Sequence, residues 1–164
     1  MAGPGPIDYT KIPITPDPDM KEWWEATKQK KFLLRQCKDC GHKWFPPFPG
    51  CKACSSTNVG WTETTGRGFV YTYNVVVQPI VSHMVPAVPY SVVIAELEDG
   101  KNADGSVTRI GGVAVDSPDD VAIGLPTELA WDDHPSSPYK IPRIKLRAKT
   151  APGMWKHPAG PLGR

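Results

Sequence analysis

Long apolar runs are missing from this chain. None approaches the ~20 residues that a bilayer-spanning helix needs, so no membrane role is expected. The opening residues, Met1-Ala2-Gly3-Pro4-Gly5-Pro6, supply neither a basic region nor an apolar core. They do not make an export signal, and the cytoplasm is the expected compartment. No cysteine lies outside the stretch Cys37–Cys54. No serine sits in a nucleophile-elbow context, so Ser82-His83 and Asp132-Asp133-His134 read as polar loop residues and not as a triad. Acidic residues vanish late in the chain: residues 134–164 hold seven Lys/Arg and no Asp/Glu, a net of +7. Basic residues are scarce just before, with three against eleven acidic over residues 61–133, a net of −8. That acidic middle argues against wrapping a phosphate backbone. The basic tail either meets an anionic cofactor or acidic partner, or is a solvated end.

What is present starts with cysteine. Cys37-Lys38-Asp39-Cys40 and Cys51-Lys52-Ala53-Cys54 are two C-x-x-C pairs with a short spacer. Four thiolates on two tight turns close a tetrahedron around one metal ion, and structural zinc is the usual occupant. Iron remains open from the residues alone. Disulfides are the competing reading, which a reducing compartment disfavours. With Cys37, Cys40, Cys51 and Cys54 as ligands the coordination is complete, so His42 is expected beside the metal or on the surface and not as a ligand. A closed site also disfavours hydrolytic zinc chemistry.

The 164 residues suffice for one ordinary domain or a small domain plus a metal-stapled module. Nineteen prolines point to short strands and extended linkers rather than a helical bundle. Residues 1–16 read as an arm, disordered or extended over a neighbour. Asp17 as N-cap and Pro18 at the first helical position predict a helix over Pro18–Lys30. Of its adjacent Trp23 and Trp24, either one packs on the metal ribbon and the other is partly exposed, or one contacts a partner subunit or a ligand. Residues 17–60 then form a helix-and-ribbon module, in which Trp44 and Phe45 run on into prolines that fix an extended path. Beyond it, β-branched and aromatic runs predict strands at 69–77, 90–98, 107–115, 126–131 and 141–147. Gly111-Gly112 is expected to mark a bulge or bend. Five strands with a bend fit an OB-type barrel over 61–148, and 149–164 trails as a basic tail.

The order of these parts resembles the zinc-ribbon/OB-fold acyl-CoA-associated family. The resemblance rests on Leu33-Leu34-Arg35-Gln36-Cys37-Lys38-Asp39-Cys40-Gly41, Trp44-Phe45-Pro46-Pro47 and Cys51-x-x-Cys54. It continues through Thr65-Gly66-Arg67-Gly68-Phe69-Val70-Tyr71-Thr72, Pro89–Leu97, Ile123-Gly124-Leu125-Pro126 and Ile141-Pro142-Arg143. The hairpin at Lys101–Thr108 looks longer than the family's usual one. The resemblance implies a non-catalytic subunit that docks on a thiolase-fold or aldolase-type partner, in a two-plus-two assembly. The complex acts on acyl-CoA thioesters, steroid side-chain or aromatic ones included, with the CoA thioester bound jointly with the partner.

Arg67, between two glycines, is a candidate contact for a CoA phosphate or a partner carboxylate, or simply a turn residue paired to an acidic neighbour. Trp23, Trp24, Trp44 and Phe45 are the other candidate partner contacts. Two other functions compete. A single-stranded nucleic-acid module would use Tyr71 and Tyr73 for stacking, against the acidic charge of the barrel. A rubredoxin-like electron carrier would hold iron at the four cysteines.

Overall fold

The computed structural model describes residues 4–155. Asp17 does cap the first turn: its carboxylate accepts from the Asp19 N–H at 2.9 Å. Pro18–Met20 form a 3-10 turn and α1 spans Lys21–Thr27, so the helix is shorter than proline and charge placement suggest. It stops because Lys30 adopts φ 58°, a left-handed end closed by Lys30 N–H to Thr27 O and Lys31 N–H to Ala26 O. The inward face of α1 carries Trp23 and Thr27, both buried.

Two sheets follow. β1 (Phe32–Cys37) lies between β2 (Lys43–Trp44) and β3 (Val59–Thr64), both antiparallel to it. β3 pairs with β1 along its whole length, from Phe32 opposite Thr64 to Cys37 opposite Val59. The second sheet contains β4 (Gly68–Val76), β5 (Tyr90–Lys101), β6 (Val107–Val113), β7 (Pro126–Asp133) and β8 (Lys140–Leu146), in the order β6-β5-β4-β7-β8. A parallel bridge between Ala114 and Ile144, extended by Val115 N–H to Ile144 O at 2.9 Å, brings the ends together. The result is mainly β: a short helix, a ribbon and a nearly closed five-stranded barrel with OB-type strand order.

The bulges do not fall at Gly111-Gly112. Those glycines keep regular register opposite Ile94 and Val93. The register shifts instead at Tyr71 in β4, and between Glu96 and Lys101 in β5. Gly112 is there for closeness: a Cβ on it would stand 3.0 Å from Ile144 Cγ1, across the seam that closes the barrel. Gly68 is tighter still, its would-be Cβ 2.2 Å from Glu96 O.

The barrel interior is filled by Val70, Val93, Ala95, Leu97, Ile110, Val121, Leu125, Ile144 and Leu146. Trp23, Phe32 and Leu34 belong to the same continuous core, so α1 and one face of the ribbon sheet pack directly on the barrel. Cys37, Trp44 and Cys51 form a separate small cluster. A third cluster joins Met84, Ala87 and Tyr90 to Ile7 of the arm.

The arm is therefore bound to its own chain. The Asp8 N–H donates to His83 O at 3.1 Å, and Tyr9 Oη donates to Asp132 Oδ2 at 2.7 Å. The buried His134 donates from Nε2 to Ile12 O at 2.8 Å, while its Nδ1 accepts from the Ser136 N–H. Among the described residues, no helix is long and apolar enough to cross a membrane. Of the basic tail, residues 156–164 lie outside the described residues.

Candidate functional site: the four-cysteine centre

The two C-x-x-C turns are built alike. After Cys40, Gly41 takes φ 75° and its N–H reaches Cys37 O at 3.0 Å. After Cys54, Ser55 takes φ 60° and its N–H reaches Cys51 O at 2.8 Å. A left-handed residue at this place turns the chain so that following N–H groups face the sulfurs. Glycine does so without cost; serine does so against its Cβ.

The Sγ atoms of Cys37 and Cys54 lie 3.6 Å apart, as do those of Cys40 and Cys51. All four fall within 4.8 Å of one another. A tetrahedral zinc–tetrathiolate unit with bonds of ~2.3 Å has sulfur–sulfur edges of about 3.8 Å. The donor set thus fits one zinc ion, and His42 is not part of it. None of the four is paired in a disulfide.

The electrostatics also call for a cation. Backbone N–H groups of Cys40, then Asp39, bring the Cys37 thiol down to about 7. The Ser56 N–H acts the same way on Cys54, but the Cys40 and Cys37 sulfurs beside it outweigh this and push Cys54 up to about 12. Four sulfurs this close cannot all carry charge without a positive ion between them.

Polar contacts then tie the ribbon to the barrel. Lys43 N–H donates to Asn102 Oδ1 at 2.8 Å, and Asn102 Nδ2 donates back to Lys43 O at 3.1 Å. Thr108 Oγ1 donates to the same carbonyl at 2.9 Å, and Lys43 Nζ donates to Asp99 O at 2.7 Å. Asp99 also accepts from Thr64 Oγ1 and Thr65 N–H, both at 2.7 Å. The β5–β6 hairpin, from Asp99 to Thr108, is thus the clasp of the metal ribbon. No local motif signals it.

The other sequence-derived candidates scatter. Trp23 is buried edge-on against Phe32, with ring centroids 5.3 Å apart. Phe45 packs on the same Phe32 at 4.9 Å. Trp24 is half-buried and meets Tyr139 at 5.4 Å. Trp44 turns to the cysteine cluster and is buried there. The structure thus gathers Trp23, Trp24 and Phe45 into one aromatic group, while Arg67 stands exposed on the β3–β4 connection. His42 is buried beside Trp44, with Nδ1 3.9 Å from Asp104 Oδ2.

Comparison with known proteins matches this geometry. The family described as "ChsH2, rubredoxin-like zinc ribbon domain" covers residues 24–60. A DUF35 domain-containing scaffold protein of Methanocaldococcus jannaschii is 35% identical over 116 residues, 66% of this chain and 73% of that protein. The chain belongs to the DUF35 family. Another relative is the probable enoyl-CoA hydratase alpha subunit of Thermomonospora curvata, 36% identical over 109 residues. That match takes in 66% of this chain but 32% of the hydratase subunit, so the DUF35 chain spans about a third of that relative's length. A solved structure described as "Ltp2-ChsH2(DUF35) aldolase" superposes with a TM-score of 0.67 at 28% identity, over 83% of this chain and 100% of that one.

Proposed function

We propose that this chain is the accessory subunit of a hetero-oligomeric enzyme that acts on acyl-CoA thioesters. The observation that carries the reading is the shared ribbon-and-barrel unit in proteins named as a hydratase alpha subunit and an aldolase complex. The chemistry of this chain supports it. Its cysteines form a closed metal set. Asp132 and His134 are occupied in holding the arm. The partner therefore supplies the reacting groups. In this proposal the partner is of thiolase or aldolase type and the assembly is two plus two. The region 17–60 docks while the barrel, 61–148, helps shape the CoA channel. Trp24 and Phe45 keep surface for a docking contact, whereas Trp23 and Trp44 act from behind as buried supports. Arg67 is free to meet a CoA phosphate or a partner carboxylate.

Co-expression with a thiolase-fold or aldolase-type partner tests this. A stable hetero-oligomer whose C–C bond chemistry on an acyl-CoA needs both chains is the expected outcome. A monodisperse monomer that leaves such partners' activity unchanged overturns it.

A further inference from the structure

Between the ribbon and the β5–β6 hairpin lies a cleft of about 170 Å³. Lys43 from β2, Lys52 from the second cysteine turn and Arg109 from β6 all line it, with Trp44, Ser106 and Thr108. No carboxylate is among its lining residues. The convergence stands out because Arg109 is one of only three basic residues over 61–133, where the net charge is −8.

Among the described residues, two of the three cations have no carboxylate partner, and the third, Arg109, is paired with Glu96 on its far edge. The Lys43 ammonium is held by a neutral carbonyl, Asp99 O. Lys52 has no partner among the described residues. Arg109 spends Nε and Nη2 on Glu96 and lies over the Tyr71 ring at 3.6 Å, which fixes its plane and leaves Nη1 uncommitted. Like charges drawn together repel, and here two are locked in place before any ligand arrives. Two preorganised cations with a third, unpaired one on a separate element suit a tetrahedral oxyanion approached from several sides. A planar carboxylate would be met by a single arginine fork.

We infer that this cleft binds a phosphate group. The site needs no partner chain and does not depend on the docking role. Lys43 and Arg109 are its fixed walls, and Lys52 closes over the bound anion.

The metal-loaded full chain is titrated with inorganic phosphate and, separately, with adenosine 3′,5′-bisphosphate, against chloride at matched ionic strength. The readout is the Thr108 backbone amide resonance, from a residue that lines the cleft. It shifts and saturates with a Kd on the order of 1 mM. Lys52→Glu and Arg109→Gln each weaken binding about tenfold, with metal content and the remaining resonances retained. Tighter binding of the bisphosphate identifies a phosphorylated small molecule as the source, and equal affinity identifies free phosphate. Chloride reproducing the shift, a response to neither phosphate, or wild-type binding by both variants overturns the inference. Assembly with an enzyme partner is scored separately, so either result stands without the other.

Discussion

Ser55 does with a side chain what Gly41 does without one. Its φ of 60° places Cβ in the left-handed region at the point where the second cysteine turn closes. Ser55→Gly removes that strain and is expected to stabilise the metal-loaded protein by about 1 kcal/mol, read as a higher denaturation midpoint. The ligands behave oppositely. Cys37→Ser or Cys54→Ser removes one corner of a tetrahedron whose sulfurs stand within 4.8 Å. Metal content then drops, and the ribbon unfolds with it, because folding and metal binding are one event in so small a site. Elemental analysis and β-sheet signal should fall together. A serine variant that lost its metal but kept its ribbon would show the ion to be dispensable.

The elements that local chemistry specifies were legible in the chain. Asp17 capped as expected, the two C-x-x-C turns converged, and β4 to β8 fell within a few residues of their β-branched runs. β3 was not legible: Val59–Thr64 alternates weakly, and its strand character comes from pairing along all of β1. The Gly111-Gly112 pair misled because glycine marks either a bulge or a close approach, and here Ile144 needed the room. The clasp between Asn102 and the Lys43 backbone was hidden for another reason. It joins groups 59 residues apart, and no local pattern encodes such a contact. Asn102→Ala removes a reciprocal pair of hydrogen bonds and leaves the Lys43 N–H and part of its carbonyl underserved. A loss of about 1–3 kcal/mol is expected, with faster amide exchange at Lys43 and Trp44 and unchanged metal content.

At the scale of the whole molecule, the arm changes meaning. A proline-rich segment read as disordered or lying over a neighbour is instead a strap across its own barrel, from His83 to His134. Its central pin is Tyr9, whose half-buried hydroxyl donates to Asp132. Burial, then that hydrogen bond to a carboxylate, raises the Tyr9 pKa to about 12. A raised tyrosine pKa means the folded state favours the neutral phenol. The contribution is whole below about pH 10, the ordinary tyrosine value, and is lost as pH climbs toward about 12. Stability should therefore decline over that alkaline window. Tyr9→Phe should be less stable at neutral pH and should lack the alkaline component, as judged by thermal melts across the range. An identical alkaline decline in both proteins would sink this account.

The shared core has a practical consequence for anyone dividing the gene. Trp23, Phe32 and Leu34 lie in one apolar mass with Val70, Ile110 and Ile144. A fragment that begins after the second cysteine turn would carry all five barrel strands yet expose the apolar floor on which the helix and ribbon rest. Such a fragment is expected to precipitate on expression. The ribbon cut from the barrel would keep its ligands but lose the barrel face against which Phe32 and Leu34 pack, so the two halves are best engineered as one piece.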